Sequence, residues 1–284
     1  MSSDLHSMLS PLTPTQIKKF QNKIYSHYRK NKRDFPWRKA ITPYKIVVSE
    51  IMLQQTQAPR VIEKFKLFIK TFPNFESLAH APLKDILTVW QGLGYNRRAL
   101  GLKKLAEIIV TKYNGRLPKT PEELVHLPWI GPHTAGSIAA YAFNYPSIFI
   151  ETNIRSIFIH EFFGDTTDIS DKALLPYIEA VLDRNNPRDW YNALMDYGTW
   201  LKATRPNPSR KSKHYTKQST FEGSNRKLRG MILKLLTNTP HPLSRKEIEI
   251  ACSPAFSHEI THTTLSTLTK EGLVVLTKNK YTIS

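Results

Sequence analysis

The sequence predicts a mainly α-helical protein of more than one domain, ending in a small module of three helices and a β-hairpin. Three observations predict it. Apolar residues recur at helical spacing through the first two hundred positions, two-residue alternation is nearly absent before residue 270, and the composition changes after Trp200. A length of 284 residues itself favours two or three modest domains over one.

Residues 1–12 are expected to be a flexible N-terminus. Thr13, Pro14 and Gln16 then make a helix start: a capping threonine, a proline at the first helical position and a glutamine three residues on. Ile17, Phe20, Ile24 and Tyr28 follow on one face, leaving the Lys/Arg face in water. A second stripe, Val61, Phe65, Phe68, Ile69 and Phe72, comes after the segment 44–57, and leucine-rich helical patterns run over 83–90, 100–113 and 121–127. Residues 127–136 form a tight turn into a helix of small residues, Ala135, Gly136, Ser137, Ala139 and Ala140. Gly131 would let the backbone approach a ligand, and free N–H groups at a helix start suit a phosphate oxygen. Many helical hairpins carry such a turn and bind nothing.

Between 202 and 217 lie Lys202, Arg205, Arg210, Lys211, Lys213 and Lys217 with no acid, together with Pro206 and Pro208; residues 206–224 read as a basic connector. In residues 225–284, Leu228, Met231, Ile232, Leu235 and Leu236 give a helical face. Ser244 and Glu247 form a capping box, a helix over 258–270 stops at Gly272, and residues 273–283 read as a hairpin turning at Lys278-Asn279-Lys280. This order resembles a winged helix, a module that lays a helix in a DNA groove or serves only as a protein contact.

With 41 Lys and Arg against 23 Asp and Glu, the formal charge is +18, which favours a polyanionic partner over a small neutral metabolite. A basic surface kept for solubility is the plainer alternative. The single cysteine, Cys252, excludes a disulfide framework and any multi-cysteine metal or iron–sulfur site, and fits a reducing cytoplasm. No apolar run nears the ~20 residues of a membrane helix, and Met1-Ser2-Ser3-Asp4-Leu5-His6 lacks a signal-peptide layout. A cytoplasmic monomer without membrane contact is expected, nucleoid-associated if bacterial.

Separate motifs then stand in a recognisable order: Phe35-Pro36-Trp37-Arg38, Thr42-Pro43-Tyr44, Ser49-Glu50-Ile51-Met52-Leu53-Gln54-Gln55-Thr56-Gln57, Gly92-Leu93-Gly94-Tyr95, the hairpin 127–136, and Met195-Asp196-Tyr197-Gly198. On these, over residues 30–202, the chain resembles the MutY-type adenine DNA glycosylases of the helix-hairpin-helix DNA glycosylase superfamily. The resemblance implies two helical lobes, one of residues 35–140 with the hairpin and one of 13–34 with 141–205, and an active site between them. It implies double-stranded DNA containing a mismatch or oxidised base as partner. The enzyme would flip an adenine opposite 8-oxoguanine or guanine and hydrolyse its N-glycosidic bond in base-excision repair.

Adenine leaves readily only once a positioned acid protonates a ring nitrogen; the deoxyribose oxocarbenium ion left behind needs a nearby carboxylate. Two carboxylates in different surroundings suffice. Glu50 stands in an otherwise uncharged stretch, 46–59, where burial would raise its pKa toward that of a usable acid; the alternative, an exposed helix glutamate, conflicts with the apolar neighbours Val47, Val48, Ile51, Met52 and Leu53. By resemblance, Glu50 protonates the base. The second carboxylate falls at Glu151-Thr152-Asn153, where the family has Asp-Gly-Asn. Glu151 keeps the charge on a side chain one methylene longer, and a misplacement of about 1 Å can cost ~10²-fold in rate. It takes the oxocarbenium-stabilising role; the alternative is an acid merely near a helix N-cap.

The resemblance further places Trp37, Arg38, Leu53, His133, Asn153 and Asn192 around the flipped base. Core packing is the alternative for Trp37 and Leu53. Asn192 stands where the family has Gln or Glu reading the adenine edge, with less reach. Gln55 and Tyr95 match wedge residues that enter the duplex, with Thr56 and Leu93 beside them. Gly131 and Thr134 belong to the phosphate-binding hairpin, where Trp129 replaces the usual first glycine and either distorts the turn or adds a stacking surface. Bifunctional relatives carry a nucleophilic lysine where this chain has His133, so a monofunctional enzyme is expected.

Most family members hold an iron–sulfur cluster through four cysteines after this point. That spacing falls on Lys202, Ser209, Ser212 and Gln218, so no cofactor and no metal are expected, and Arg210, Lys211 and Lys213 are expected to take over DNA contact. The family's NUDIX-like half is replaced by residues 225–284. There Phe256-Ser257-His258 resembles an 8-oxoguanine-reading tripeptide but falls at a predicted helix start, which makes coincidence the better reading. Two alternatives remain: a glycosylase for thymine or uracil opposite guanine, and a catalytically weak mismatch-binding protein. A double-strand endonuclease is disfavoured for want of a metal-ligand cluster or lysine nucleophile.

Overall fold

The computed structural model describes residues 11–217, 220–253 and 255–284. Residues 1–10 of the expected flexible N-terminus, and Gln218, lie outside the described residues. In chain order the helices are α1 (Pro14–Asn31), α2 (Pro43–Leu53), α3 (Ala58–Thr71), α4 (Phe75–His80), α5 (Leu83–Trp90), α6 (Arg97–Tyr113), α7 (Pro121–Leu124), α8 (Pro132–Phe143), α9 (Thr152–Phe162), α10 (Asp171–Val181), α11 (Pro187–Thr204), α12 (Asn225–Asn238), α13 (Arg245–Cys252) and α14 (His258–Lys270). The strands are β1 (Leu243–Ser244), β2 (Val274–Thr277) and β3 (Lys280–Ile283).

The chain divides into two compact units. The first comprises Met1–Phe35, Lys119–Val125 and Ile130–Lys217. Here α9 is central, packed by α10, α11 and the segment after α11, while α1 lies on α11. The Thr13 capping box starts α1, whose Phe20 and Ile24 enter the core beside Phe158 and Trp190. Residues 130–140, expected from the sequence to join 35–129, group with this unit instead. The cause is close packing: a Cβ on Gly136 would meet Phe149 at 2.9 Å, and Ser147 Oγ donates to the Gly136 carbonyl at 2.6 Å.

The basic connector is folded onto its unit over part of its length. Residues up to Thr204 are helical, and Pro208–Lys211 form a 3-10 turn that Asn207 caps through Ser209 N at 3.1 Å. Ser209 is buried with its hydroxyl 2.7 Å from that of Ser156, and Ile169 exchanges backbone bonds with Lys211 and Lys213. Side-chain and backbone hydrogen bonds fold a segment whose prolines and charges read as a poor helix.

The second unit comprises Pro36–Pro118, His126–Trp129 and Gln218–Ser284. Helix α4 packs on α6, and α3 on both α2 and α5. The C-terminal elements follow the expected order, with sheet order β1-β3-β2 and a turn at Lys278-Asn279, both at left-handed φ. Ser244 and Glu247 form their capping box, and Ser257 caps α14, so the Phe256-Ser257-His258 tripeptide is a helix start. This module is not isolated: α12 packs on α5, Lys84 Nζ donates to the Thr239 carbonyl at 3.0 Å, and Gln91 Nε2 to Thr237 Oγ1 at 2.8 Å. The helical pattern over 121–127 is shorter than predicted, ending at Leu124.

Candidate active site

Glu50 belongs to the second unit, on the last turn of α2. Thr42 caps this helix, Pro43 opens it, and Tyr44, Ile46, Val47, Val48, Ser49, Ile51 and Met52 are buried. Glu50 itself is half-buried, an acid set in an apolar helix with part of its surface open. Trp37 is buried with its ring edge-on to Phe65 at 5.6 Å, so it is packed in this unit's core; Leu53 and Arg38 are half-buried.

Past α2 the chain turns sharply, and Gln55 takes φ 53°. Tyr95, in the Gly92–Gly94 turn that follows α5, takes φ 47°. Left-handed backbone at a residue with a Cβ costs about 1–2 kcal/mol and persists only where the surroundings enforce it. What enforces it is a residue outside every motif singled out in the sequence. Arg98, 8% exposed, donates to the carbonyls of Ile51 (2.9 Å), Met52 (2.8 Å), Gln54 (2.6 Å), Leu93 (3.2 Å) and Gly94 (3.1 Å), and to Thr56 Oγ1 (3.0 Å). One guanidinium thus caps the C-terminus of α2 and joins it to the Tyr95 turn. Burial lowers its pKa to about 10, the Tyr95 charge opposing. The one signal in the sequence was an Arg97-Arg98 pair directly after the glycine turn. Thr56 is held by this clamp, and Leu93 is buried at 3% exposure, part of the core and not a presented wedge.

In the first unit, Glu151 is the N-cap of α9. Its Oε1 accepts from Asn153 N at 2.6 Å and Ile154 N at 3.2 Å, which fixes the carboxylate. Desolvation raises its pKa, opposed by the charge of Lys202 and by those N–H bonds. Lys202, on α11, is depressed by its own desolvation, with Glu151 pulling the other way. The N-cap and the functional reading are therefore compatible: the cap orients the group and the burial strengthens its field. The closeness of α9 and α11 has a cause in the Met195-Asp196-Tyr197-Gly198 motif, since a Cβ on Gly198 would stand 2.7 Å from Asn153 Cβ. Asp196, 2% exposed, takes Arg33 Nε at 2.6 Å and Arg33 N at 3.0 Å, tying down the chain after α1. Asn153 Oδ1 is buried without a hydrogen-bond partner among the described residues. Asn192, one turn before Asp196, is 7% exposed and offers little of its amide to a ligand.

Helix α8 opens on exposed Gly131, Pro132 and His133 with no side-chain cap, which leaves its first N–H groups for an anion; Thr134 is half-buried. Gly131 is at φ −83°, so glycine's freedom is not what this turn uses. The left-handed position is Trp129, φ 67°. Of the basic trio, Arg210 and Lys213 are exposed, whereas Lys211 Nζ is engaged by the Gly164 carbonyl at 2.6 Å and Asp165 at 3.2 Å.

The positions matching the four-cysteine spacing do not fit an iron–sulfur cluster. Lys202, Ser209 and Ser212 offer no thiolate, Ser209 is bonded to Ser156, and Ser212 Oγ accepts from His214 N at 3.1 Å. The chain's one cysteine, Cys252, is buried in α13. Among the described residues no helix is long and apolar enough to cross a membrane.

The HhH-GPD superfamily of base excision DNA repair proteins matches residues 48–184. An adenine DNA glycosylase of Buchnera aphidicola is 37% identical over 62% of this chain and 50% of its own, so the chain spans about half the length of that relative. An adenine DNA glycosylase of Mycobacterium tuberculosis is 31% identical over 80% of this chain and 82% of its own. Among solved structures, a thermostable thymine-DNA glycosylase superposes with TM-score 0.61 at 28% identity, covering 69% of this chain and 91% of that one. With the family match over 48–184 and the likeness to the Mycobacterium tuberculosis relative over most of both chains, the chain belongs to the HhH-GPD superfamily of base excision DNA repair proteins.

Proposed function

We propose that this protein is a monofunctional DNA N-glycosylase that removes adenine mispaired with 8-oxoguanine or guanine. The likeness to an adenine DNA glycosylase over 80% of the chain carries the reading. Glu50 donates a proton to a ring nitrogen of the flipped adenine, and the bond to C1′ breaks with its electron pair leaving on the base. Glu151, ionised, faces the oxocarbenium charge; water then adds to C1′ and its proton passes to a carboxylate. Gln55 and Tyr95, already strained, enter the gap in the stack. His133 supplies no lysine amine, so no Schiff base forms. The cation excess of +18 supports duplex DNA as partner, and the protein works as a monomer without metal or cluster, in the cytoplasm beside the chromosome.

A second reading, release of thymine or uracil opposite guanine, is favoured by the 28% identity to a thymine-DNA glycosylase and by the burial of Asn192. Single-mismatch duplexes incubated with the protein and then treated with alkali separate the two: strand breaks at adenine support the first, breaks confined to thymine or uracil the second. Borohydride trapping tests the monofunctional claim; a high yield of protein–DNA adduct would refute it.

A further inference from the structure

A cleft of about 1210 Å3 opens within the second unit, walled by α3, the Gln54–Gln55 turn, the Gly92–Tyr95 turn, Trp129 and α12 of the C-terminal module. Trp37, Arg38, Glu50 and Leu53 do not line it, so it is distinct from the surroundings of the proposed acid. Its charge is one-sided. Arg60 and Lys64 come from α3, Arg97 from α6, and Arg226, Lys227 and Lys234 from α12, against a single carboxylate, Glu271, which is already paired with Arg229. Lys227 pairs with Glu222 outside the cleft wall, while the side chains of Arg60, Lys64 and Lys234 have no hydrogen-bond or ion-pair partner among the described residues.

Three aromatic residues line this cleft, Tyr95, Trp129 and Phe221, and two of them meet its cations. Arg226 Nη1 donates to Tyr95 Oη at 2.9 Å, and its guanidinium stands 5.6 Å over the ring. Trp129 lies along α6: a Cβ on Gly101 would come 2.5 Å from its Cδ2, and the Arg97 guanidinium is 5.3 Å over its ring. Positions 97 and 101 are one turn apart, so they support the indole from the helix side, and 41% of the residue stays exposed. Strained backbone, a glycine seat and a cation thus hold a large aromatic at the wall of a basic cleft.

We propose that this cleft is a second DNA seat, in which α3 and α12 grip the phosphates of the strand left behind when a nucleotide is flipped, and Trp129 stacks the base that has lost its partner. Phosphates need unpaired cations, which Arg60, Lys64 and Lys234 provide, and an unpaired base needs a flat apolar surface, worth about 5- to 100-fold in binding. The cleft adjoins Gln55 and Tyr95, the two wedge residues, so a strand parted by them passes directly into it. The C-terminal module then acts as part of the DNA-binding surface and not as an appended protein contact. This inference rests on the base-flipping reading above.

The test uses the full chain and duplexes with one A:8-oxoguanine pair or none. For the Lys64→Glu/Lys234→Glu double variant, the slope of log Kd against log salt should fall by about 2, near 0.9 for each phosphate no longer neutralised. Trp129→Gly, which relieves the backbone while removing the ring, should lower the preference for mispaired over paired duplex by about 5- to 100-fold. An unchanged salt slope in the double variant, or an unchanged preference in Trp129→Gly, overturns the proposal. A reduced slope from a wild type that releases no base would instead keep the seat and refute the excision reading.

Discussion

The two proposed catalytic acids are fixed in opposite ways. Glu50 rides on a helix buried nearly all round, and its position is set by what happens after it: the Arg98 guanidinium gathers the last carbonyls of α2 and fastens them to the Tyr95 turn. Glu151 sits before its helix and is set by the helix itself, through two N–H groups at α9 and the counter-charge of Lys202. One carboxylate is placed by packing and by a long-range clamp, the other by local backbone dipoles. An acid that must give up a proton gains from apolar neighbours, and one that must remain charged gains from N–H donors and a cation. For Glu151 desolvation outweighs these donors and raises its pKa, so the two roles stay a proposal that the variants below test.

Breaking this contrast at Glu151 is expected to have a large effect. Glu151→Gln keeps an oxygen to cap α9 but removes the charge, so base release should fall by about 10²- to 10³-fold in single-turnover assays. Stability should move the other way. Because the folded-state pKa of Glu151 is raised, its ionisation opposes folding as pH rises through that value, and the neutral amide escapes the cost. Melting temperatures of the variant should therefore equal or exceed wild type near pH 8 and converge with it toward pH 4.

Next in size is the clamp. Arg98→Lys keeps a cation but cannot reach five carbonyls and a hydroxyl at once, and should lose about 2–4 kcal/mol in urea unfolding. Smaller is Lys202→Met, which removes the charge that opposes the rise in the Glu151 pKa. The acidic limb of the pH–rate profile should then move to higher pH; an unmoved limb would show that Lys202 does not act on Glu151. Smallest is the hairpin: since Trp129 holds left-handed φ, Trp129→Gly should be about 1 kcal/mol more stable than Trp129→Ala, the ring being removed in both.

What the sequence disclosed was largely local. The capping boxes of Thr13 and Ser244, the stop at Gly272 and the turn at Lys278-Asn279 lie within a few residues of each other in the chain, where propensity and side-chain reach decide the outcome. What it hid was long-range. Ser156 and Ser209 hydrogen-bond across 53 positions, so a proline- and lysine-rich stretch that looks like a tether closes on α9 instead. Arg98 reaches back 47 positions to Ile51, and its one mark in the sequence, the pairing with Arg97 after the glycine turn, does not tell that it holds two motifs together. The site was legible as motifs, yet the burial of Leu93, Trp37 and Asn192 depends on packing that no single-chain pattern carries. Trp129 is the intermediate case. Its substitution for a glycine was visible, and the structure adds the left-handed backbone and the glycine at 101 that accommodate it.

The central claim is that Glu50 supplies the proton for excision of a mispaired adenine. It is tested most directly by single-turnover adenine release from an A:8-oxoguanine duplex, with wild type and Glu50→Gln both at saturating concentration. Wild type should yield free adenine and an alkali-labile site, and the variant a rate about 10²- to 10⁴-fold lower with duplex affinity retained. Equal rates for the two proteins, or an intact adenine after prolonged incubation with wild type, would contradict it.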